Sequence, residues 1–162
     1  MVTGDRRGYT LTEIMIVVAI LGITSGSTAL VLQKTVQVQM MADALTNIQQ
    51  GAFTSYDVIS KLLRQGSAAS VIIDRYDANQ PPWSRLTFTN PNTGATISVS
   101  QRGQTLYLNN NAMSKSLRII SFAYPESSDP SIIMVSMTFE QSVGNGKSKA
   151  IQLFVQRVKI QN

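Results

Sequence analysis

The chain has 162 residues, which is enough for one globular domain beside any membrane segment. It contains no cysteine and no histidine, so disulfide bonds, thiolate metal sites and histidine-based catalysis are excluded. The net charge is +5, but the basic residues from Lys34 onward are spread along the chain, which argues against a nucleic-acid-binding stripe.

The spacing of Asp, Glu, Lys and Ser suggests no catalytic set, so we predict no enzyme activity and no cofactor. Asp74 and Asp77 lie near Asn79 and could in principle bind calcium. Their spacing lacks the dense oxygen-ligand pattern of calcium loops, and we therefore predict no metal site.

The most prominent feature is an uncharged, largely apolar segment from Ile14 to Gln33. About 20 helical residues are sufficient to cross the roughly 30 Å hydrocarbon core of a bilayer. Arg6 and Arg7 precede the segment and only Lys34 follows it closely, which predicts a cytoplasmic N-terminus. Two ordinary interpretations are an uncleaved signal anchor and an export signal cleaved near Ser25-Gly26-Ser27.

Neither interpretation accounts for Glu13 at the head of the apolar segment, because a carboxylate at the membrane centre costs on the order of 2.5–3.5 kcal/mol. The segment from Arg6 to Ile20, RRGYTLTEIMIVVAI, resembles the processing site of type IV prepilins and type II secretion pseudopilins. The shared features are a basic leader, a glycine before the cut, an aromatic new N-terminus, a glutamate five residues on and an uninterrupted apolar helix.

The resemblance implies that a prepilin peptidase cleaves between Gly8 and Tyr9 and methylates the new amine of Tyr9. Residues 1–8 would then be a leader that is removed, whereas the apolar helix is retained. We expect Glu13 to pair with the amine of a neighbouring subunit and so to set the axial register of a filament, because a buried carboxylate is tolerated when it is paired.

Gly22 and Gly26 stand four residues apart beside several small hydroxyl residues. Such a surface lets helices approach closely in lipid. The alternative is simple weakening of the helix, since each glycine costs about 1 kcal/mol relative to alanine.

Beyond Lys34 the apolar residues recur three or four positions apart, which predicts an amphipathic helix. The predicted apolar face consists of Met41, Leu45, Ile48, Ala52, Tyr56, Ile59 and Leu63. No proline interrupts the chain from Thr10 to Gln65, so one helix of roughly 55 residues is expected, with Gly66 as its stop. Its transmembrane half would be residues 9–33 and its amphipathic half residues 34–65.

After Gly66 the apolar pattern changes to the two-residue period of half-buried antiparallel strands. The predicted strands contain Leu86–Phe88, Ile97–Val99, Leu106–Leu108, Leu117–Tyr124, Ile133–Phe139 and Ile151–Val155. Residues 66–162 are thus predicted to form an antiparallel β-sheet domain that covers the apolar helix face. The fold class is α+β and pilin-like, with a long N-terminal helix packed on antiparallel sheet.

Leu62-Leu63-Arg64-Gln65 and the closing residues Val155–Asn162 are loosely similar to J-type minor pseudopilins or PilW-like minor pilins. The lack of cysteine departs from major pilins that have a C-terminal disulfide. The resemblance therefore implies a structural minor pseudopilin at or near the tip of a type II secretion pseudopilus.

The resemblance also implies a location and partners. The chain would be a single-pass inner-membrane protein with its globular domain in the periplasm or otherwise outside the cytoplasm. Its partners would be other pilin or pseudopilin subunits, the prepilin peptidase, the inner-membrane assembly platform and membrane lipid, and not nucleic acid. Alternatives are a minor type IV pilin for adhesion, motility or DNA uptake, and a membrane-anchored or exported binding domain.

Overall fold

A computed structural model describes residues 9–144, 146 and 148–161. The chain divides after Met40 into two compact units, which are described separately below. A single α-helix, α1 (Leu11–Arg64), begins in the first unit and ends in the second. Its 54 residues agree with the helix predicted from the apolar pattern.

The first unit consists, in its described part, of the N-terminal portion of α1 and the two residues before it. Every described side chain up to Met40 is exposed. The helix is long and apolar enough to cross a membrane by length and composition. The apolar side chains in the described part of the unit are not buried within it, because residues 9–40 form no core.

In the second unit, α1 packs on antiparallel β-sheet through the predicted face. The buried helix residues are Ala44, Ile48, Ala52, Ser55, Ile59, Ser60 and Leu63. Met41, Leu45 and Tyr56 are partly buried and contact the same core. The spacing of three and four residues in this set is the reason that one side of the helix faces the sheets.

Gly66 ends the helix as predicted, but mainly for a packing reason. Its N–H donates to the carbonyl oxygen of Leu63 at 3.0 Å. A Cβ atom at this position would lie 2.6 Å from Cδ2 of the buried Phe88 ring. The chain can leave the helix so close to the sheet only because residue 66 has no side chain.

Five strands form the first sheet, with each strand paired to the next in sequence order. They are β1 (Ile72–Asp74), β2 (Arg85–Thr89), β3 (Thr96–Arg102), β4 (Thr105–Leu108) and β5 (Asn111–Ser114). A 3-10 turn at Ala68–Ser70 leads into this sheet. Strands β1 and β5 were not predicted, since three or four residues are too few to show a period of two.

Three antiparallel strands form the second sheet, in the order β6 (Leu117–Ala123), β7 (Ile132–Val143) and β8 (Ser148–Lys159). Strand β8 extends beyond the predicted Ile151–Val155 because its pairing with β7 continues through polar residues at both ends. Alternate residues of β7 are buried, including Ile133, Val135 and Met137. The core therefore lies between the second half of α1 and the inner faces of the two sheets.

Candidate functional site

The first turn of α1 is closed by reciprocal hydrogen bonds between Thr10 and Glu13. The backbone N–H of Thr10 donates to Oε2 of Glu13 at 2.9 Å, and the backbone N–H of Glu13 donates to Oγ1 of Thr10 at 3.3 Å. The Thr10 hydroxyl also donates to Oε2 of Glu13 at 3.1 Å. This arrangement is a capping box, which satisfies N–H groups that a helix start leaves without partners.

The capping role of Glu13 was missed in the sequence, although the Thr-x-x-Glu pattern that signals it is present at Thr10–Glu13. It gives the carboxylate a function inside a single chain. Because a capping box needs only an acceptor on residue 13, it does not explain why the acceptor is charged.

The expected cleavage site borders this capping box. Tyr9 directly precedes Thr10 and is 83% exposed. Gly8 and the rest of the expected leader, residues 1–8, lie outside the described residues. The described part of the site thus presents an exposed aromatic residue next to a capped helix start with a carboxylate in its first turn.

Hydroxyl side chains in the apolar part of α1 bond to the helix itself. Thr24, Ser27 and Thr28 donate to the carbonyl oxygens four residues earlier, at 3.0, 2.9 and 2.8 Å respectively. In lipid a polar group must find its partner within the protein. These three hydroxyls already do so, and the segment around them is compatible with hydrocarbon.

Gly22 and Gly26 lie on the described helix, with open space around both. A Cβ atom added at either position would meet nothing within 4 Å. Ala19 and Ala29 fall on the same helical face, because the spacing 19, 22, 26, 29 follows the helical period. Contacts inside the chain therefore do not require glycine at these positions.

Several carboxylates in the second unit are engaged in ion pairs and turns, Glu140 among them. Glu140 borders a polar depression of about 420 Å³, where it forms ion pairs with Lys149 and, at 3.1 Å, with Nη1 of Arg118. The Lys149 hydrogen bond is the main cause of a lowered pKa of Glu140, with the charge of Arg118 adding to it. These contacts give Glu140 a structural role at the junction of β6, β7 and β8.

The residues considered for calcium are also committed to other contacts. Asp74 accepts from Nε of Arg85 at 2.6 Å, and Oδ1 of Asp77 accepts from the backbone N–H of Asn79 at 2.8 Å. Within residues 9–144, 146 and 148–161, no three Asp or Glu side chains come together as a metal site would require.

Comparison with known protein families gives a match to the family described as the prokaryotic N-terminal methylation motif, over residues 4–29. The match includes Gly8, Tyr9 and Glu13 and supports a type IV pilin-like family whose subunits are processed by a prepilin peptidase. Subunits of such families are typically structural and not enzymatic. Comparisons with curated proteins and with solved structures give no significant match.

Proposed function

Taking the chain as a type IV pilin-like subunit with a single-pass membrane anchor, we propose that it is a minor pseudopilin of a type II secretion pseudopilus. It would be held in the inner membrane, cleaved between Gly8 and Tyr9, and assembled at or near the filament tip. The observation that carries this proposal is an exposed apolar helix with a methylation motif at its head and a folded domain after it.

The exposed apolar part of α1 is suited to two successive environments, first the membrane and then a bundle of apolar helices. A segment whose apolar side chains are all exposed in the isolated chain is stable only in lipid or against other apolar helices. A subunit that is stored in a membrane and then joins a filament meets both requirements. The same segment serves as anchor first and as filament core afterwards.

Glu13 would act during the transfer between these environments. In the isolated chain it accepts from Thr10, and the stored subunit would keep these hydrogen bonds. During assembly we propose that its charge attracts the amine of Tyr9 on a neighbouring subunit, which would compensate the cost of a carboxylate among apolar helices. Gly22 and Gly26 would allow the neighbouring helices to approach closely.

The proposed organisation follows the segments predicted from the sequence. Residues 1–8 would be the leader, 9–33 the membrane segment, 34–65 the amphipathic half of the helix and 66–162 the sheet domain. With Arg6 and Arg7 holding the leader in the cytoplasm, the sheet domain would lie in the periplasm. The assembly platform in the inner membrane would extract the processed subunit.

The experiment that tests this proposal is mass spectrometry of the mature chain isolated from membranes. We expect Tyr9 as the N-terminal residue, with its amine methylated. Gly8→Leu places a bulky residue at the cleavage site and should leave the leader attached. A mature N-terminus near Thr28, or an intact Met1 in the unaltered chain, would falsify the proposal and favour an exported or anchored binding domain.

A second measurement separates the pseudopilin from a minor type IV pilin. Deletion of the protein should abolish secretion of a type II substrate while surface motility and DNA uptake continue. Loss of motility or DNA uptake with normal secretion would assign the subunit to a pilus.

A further inference from the structure

Strand β8 is the edge of the second sheet in the described part of the chain, since the strand order is β6, β7, β8. Its twelve residues are paired with β7 along their whole length, but no strand among the described residues pairs with the opposite side. Long edge strands are usually protected because their free N–H and C=O groups can pair with another chain.

The direction of the free backbone groups of β8 follows from two hydrogen bonds. The N–H of Glu140 donates to the carbonyl oxygen of Ser116 at 2.8 Å. The backbone N–H of β7 at this position therefore points towards β6 and away from β8. Ile151 is the partner of Glu140 in the β7–β8 register and therefore directs its own N–H and C=O away from β7. The carbonyl of Leu153 accepts from its neighbouring Gln152 side chain at 3.1 Å, which agrees with this alternation.

The residues with outward backbone groups also carry exposed apolar side chains. Ile151, Leu153 and Val155 are 49%, 60% and 47% exposed and share one face of β8. Their partners on that face of β7 include the polar residues Thr138 and Ser136. On this face the exposed apolar side chains thus lie on the outer strands, with three on β8 and Ile119 on β6, and not on the central strand β7. The three on β8 fit a partner beside this edge.

The opposite face of β8 offers a second apolar contact. Phe154 packs against Phe53 of α1 with ring centroids 5.5 Å apart in an edge-to-face arrangement, and Phe53 remains 62% exposed. A strand added to β8 would direct alternate side chains to the two faces, towards Leu153 on one and Phe53 on the other. Backbone hydrogen bonds and both apolar surfaces would be used together.

The charges on β8 indicate the chemistry of the partner. Lys149 is compensated by Glu140, whereas Arg157 is exposed and has no acidic partner among residues 9–144, 146 and 148–161. In an antiparallel pair of two β8 strands with Leu153 opposite itself, Lys149 would face Arg157 of the other copy. Like charges directly opposite destabilise a strand pair, and this disfavours the pairing of two copies in that register.

We propose that β8 accepts an extended strand from a different pilin-like subunit, with apolar residues at alternate positions and a carboxylate opposite Arg157. This inference rests on the proposed function for the kind of partner. It adds a specific lateral contact between sheet domains to the contact between helices.

The test is photo-crosslinking in the full-length chain, in cells that contain its own assembly system. A photoreactive phenylalanine analogue replaces Ile151 in one variant and Thr138, at the centre of the same face, in the control. We expect an adduct from position 151 with a second protein that carries an N-terminal methylation motif, joined at a peptide containing Asp or Glu. Position 138 should give little of this adduct.

Leu153→Pro in the position-151 variant tests backbone pairing directly. The N–H of residue 153 points away from β7, so proline removes an edge hydrogen bond without breaking the β7–β8 ladder. We expect about a tenfold loss of adduct, while the matched Leu153→Thr variant keeps the N–H and loses less. Arg157→Glu, at an exposed position that should not affect folding, is expected to reduce the adduct by a similar factor.

The mature N-terminus is measured in the same samples, which separates failure of this inference from failure of the proposed function. A chain that begins at Tyr9 but gives no adduct, or whose adduct persists with Leu153→Pro and Arg157→Glu, would overturn strand addition alone. An adduct between two copies of this chain would overturn the choice of partner. A chain with an intact leader would overturn the proposed function and the inference that rests on it.

Discussion

At the residue scale, Gly66 is required by the contact between the end of α1 and the first sheet. The nearest ring atom of Phe88 is 2.6 Å from the position of a Cβ, and Phe88 is 1% exposed. We expect Gly66→Ala to lower the free energy of unfolding by about 1–3 kcal/mol, since the ring must shift within a packed core. Chemical denaturation of the detergent-solubilised chain measures this change.

Gly51→Ala is the matched control for Gly66→Ala. Gly51 lies inside α1, and an added Cβ would make an ordinary contact with Oγ of Ser114 at 3.4 Å. Alanine should stabilise the helix there by up to about 1 kcal/mol. Equal destabilisation by both substitutions would show that contact with Phe88 is not the cause.

Glu140 is expected to make stability depend on pH. Its pKa in the folded chain is lowered, first by the hydrogen bond from Lys149 and then by the charges of Lys149 and Arg118. Its stabilisation is therefore present above the unfolded pKa of about 4.3 and is lost as pH falls through the lower folded value. Glu140→Gln should reduce stability at neutral pH and approach the unaltered chain in acid.

The control for this pH dependence is Glu126→Gln, which removes the same charge from an exposed residue. Thermal midpoints measured from neutral to acidic pH should follow the unaltered chain for Glu126→Gln and diverge from it for Glu140→Gln. A constant difference between Glu140→Gln and the unaltered chain at every pH would contradict the ion-pair explanation.

At the element scale, the start of α1 combines two roles of Glu13 that can be separated. Glutamine is also accepted at this position of a capping box, so Glu13→Gln should keep the cap and lose only the charge. Thr10→Ala should weaken the cap and keep the charge. If the charge sets register in a filament, Glu13→Gln will be processed at Tyr9 but will join filaments poorly, as measured by co-purification with other subunits.

Thr10→Ala is the matched control for Glu13→Gln, because it weakens the helix cap and keeps the charge of Glu13. Loss of its hydroxyl costs about 0.5–2 kcal/mol at a helix start, which affects the first turn but not the carboxylate. We expect this variant to be processed and to assemble. Normal assembly of Glu13→Gln together with failure of Thr10→Ala would assign the importance of Glu13 to helix capping.

The elements differ in how well the sequence predicts them. α1 and the central strands follow from apolar residues at periods of 3.6 and two, because burial on one face imposes those periods. Strands β1 and β5 could not be predicted in this way, since three or four residues are too few to show a period of two. The division into two sheets also depends on long-range packing that local patterns do not contain.

Some residues of the candidate functional surfaces were identified from the sequence and others were not. Tyr9, Glu13 and the apolar segment were identified by a local motif that the family comparison also matches. The exposed edge at Leu153 was not, because an alternating strand pattern shows which residues share a face but not which strand lies at the edge of a sheet.

At the scale of the whole molecule, the buried core is confined to one part of the chain. Every buried residue in the described part lies at or after Ala44, whereas every described side chain up to Met40 is exposed. A fragment of residues 41–162 keeps the complete core, including the helix face around Ile48 and Leu63. It should therefore fold without detergent and unfold cooperatively.

The thermal midpoint of this fragment should lie within a few degrees of that of the full chain in detergent, because the residues that form the core all lie within it. Circular dichroism measures both midpoints, and Gly66→Ala should lower them equally. A fragment that remains unfolded would show that the apolar half of α1 stabilises the domain. Agreement of the two midpoints would leave that half free to move from lipid into a filament without any change in the sheet domain.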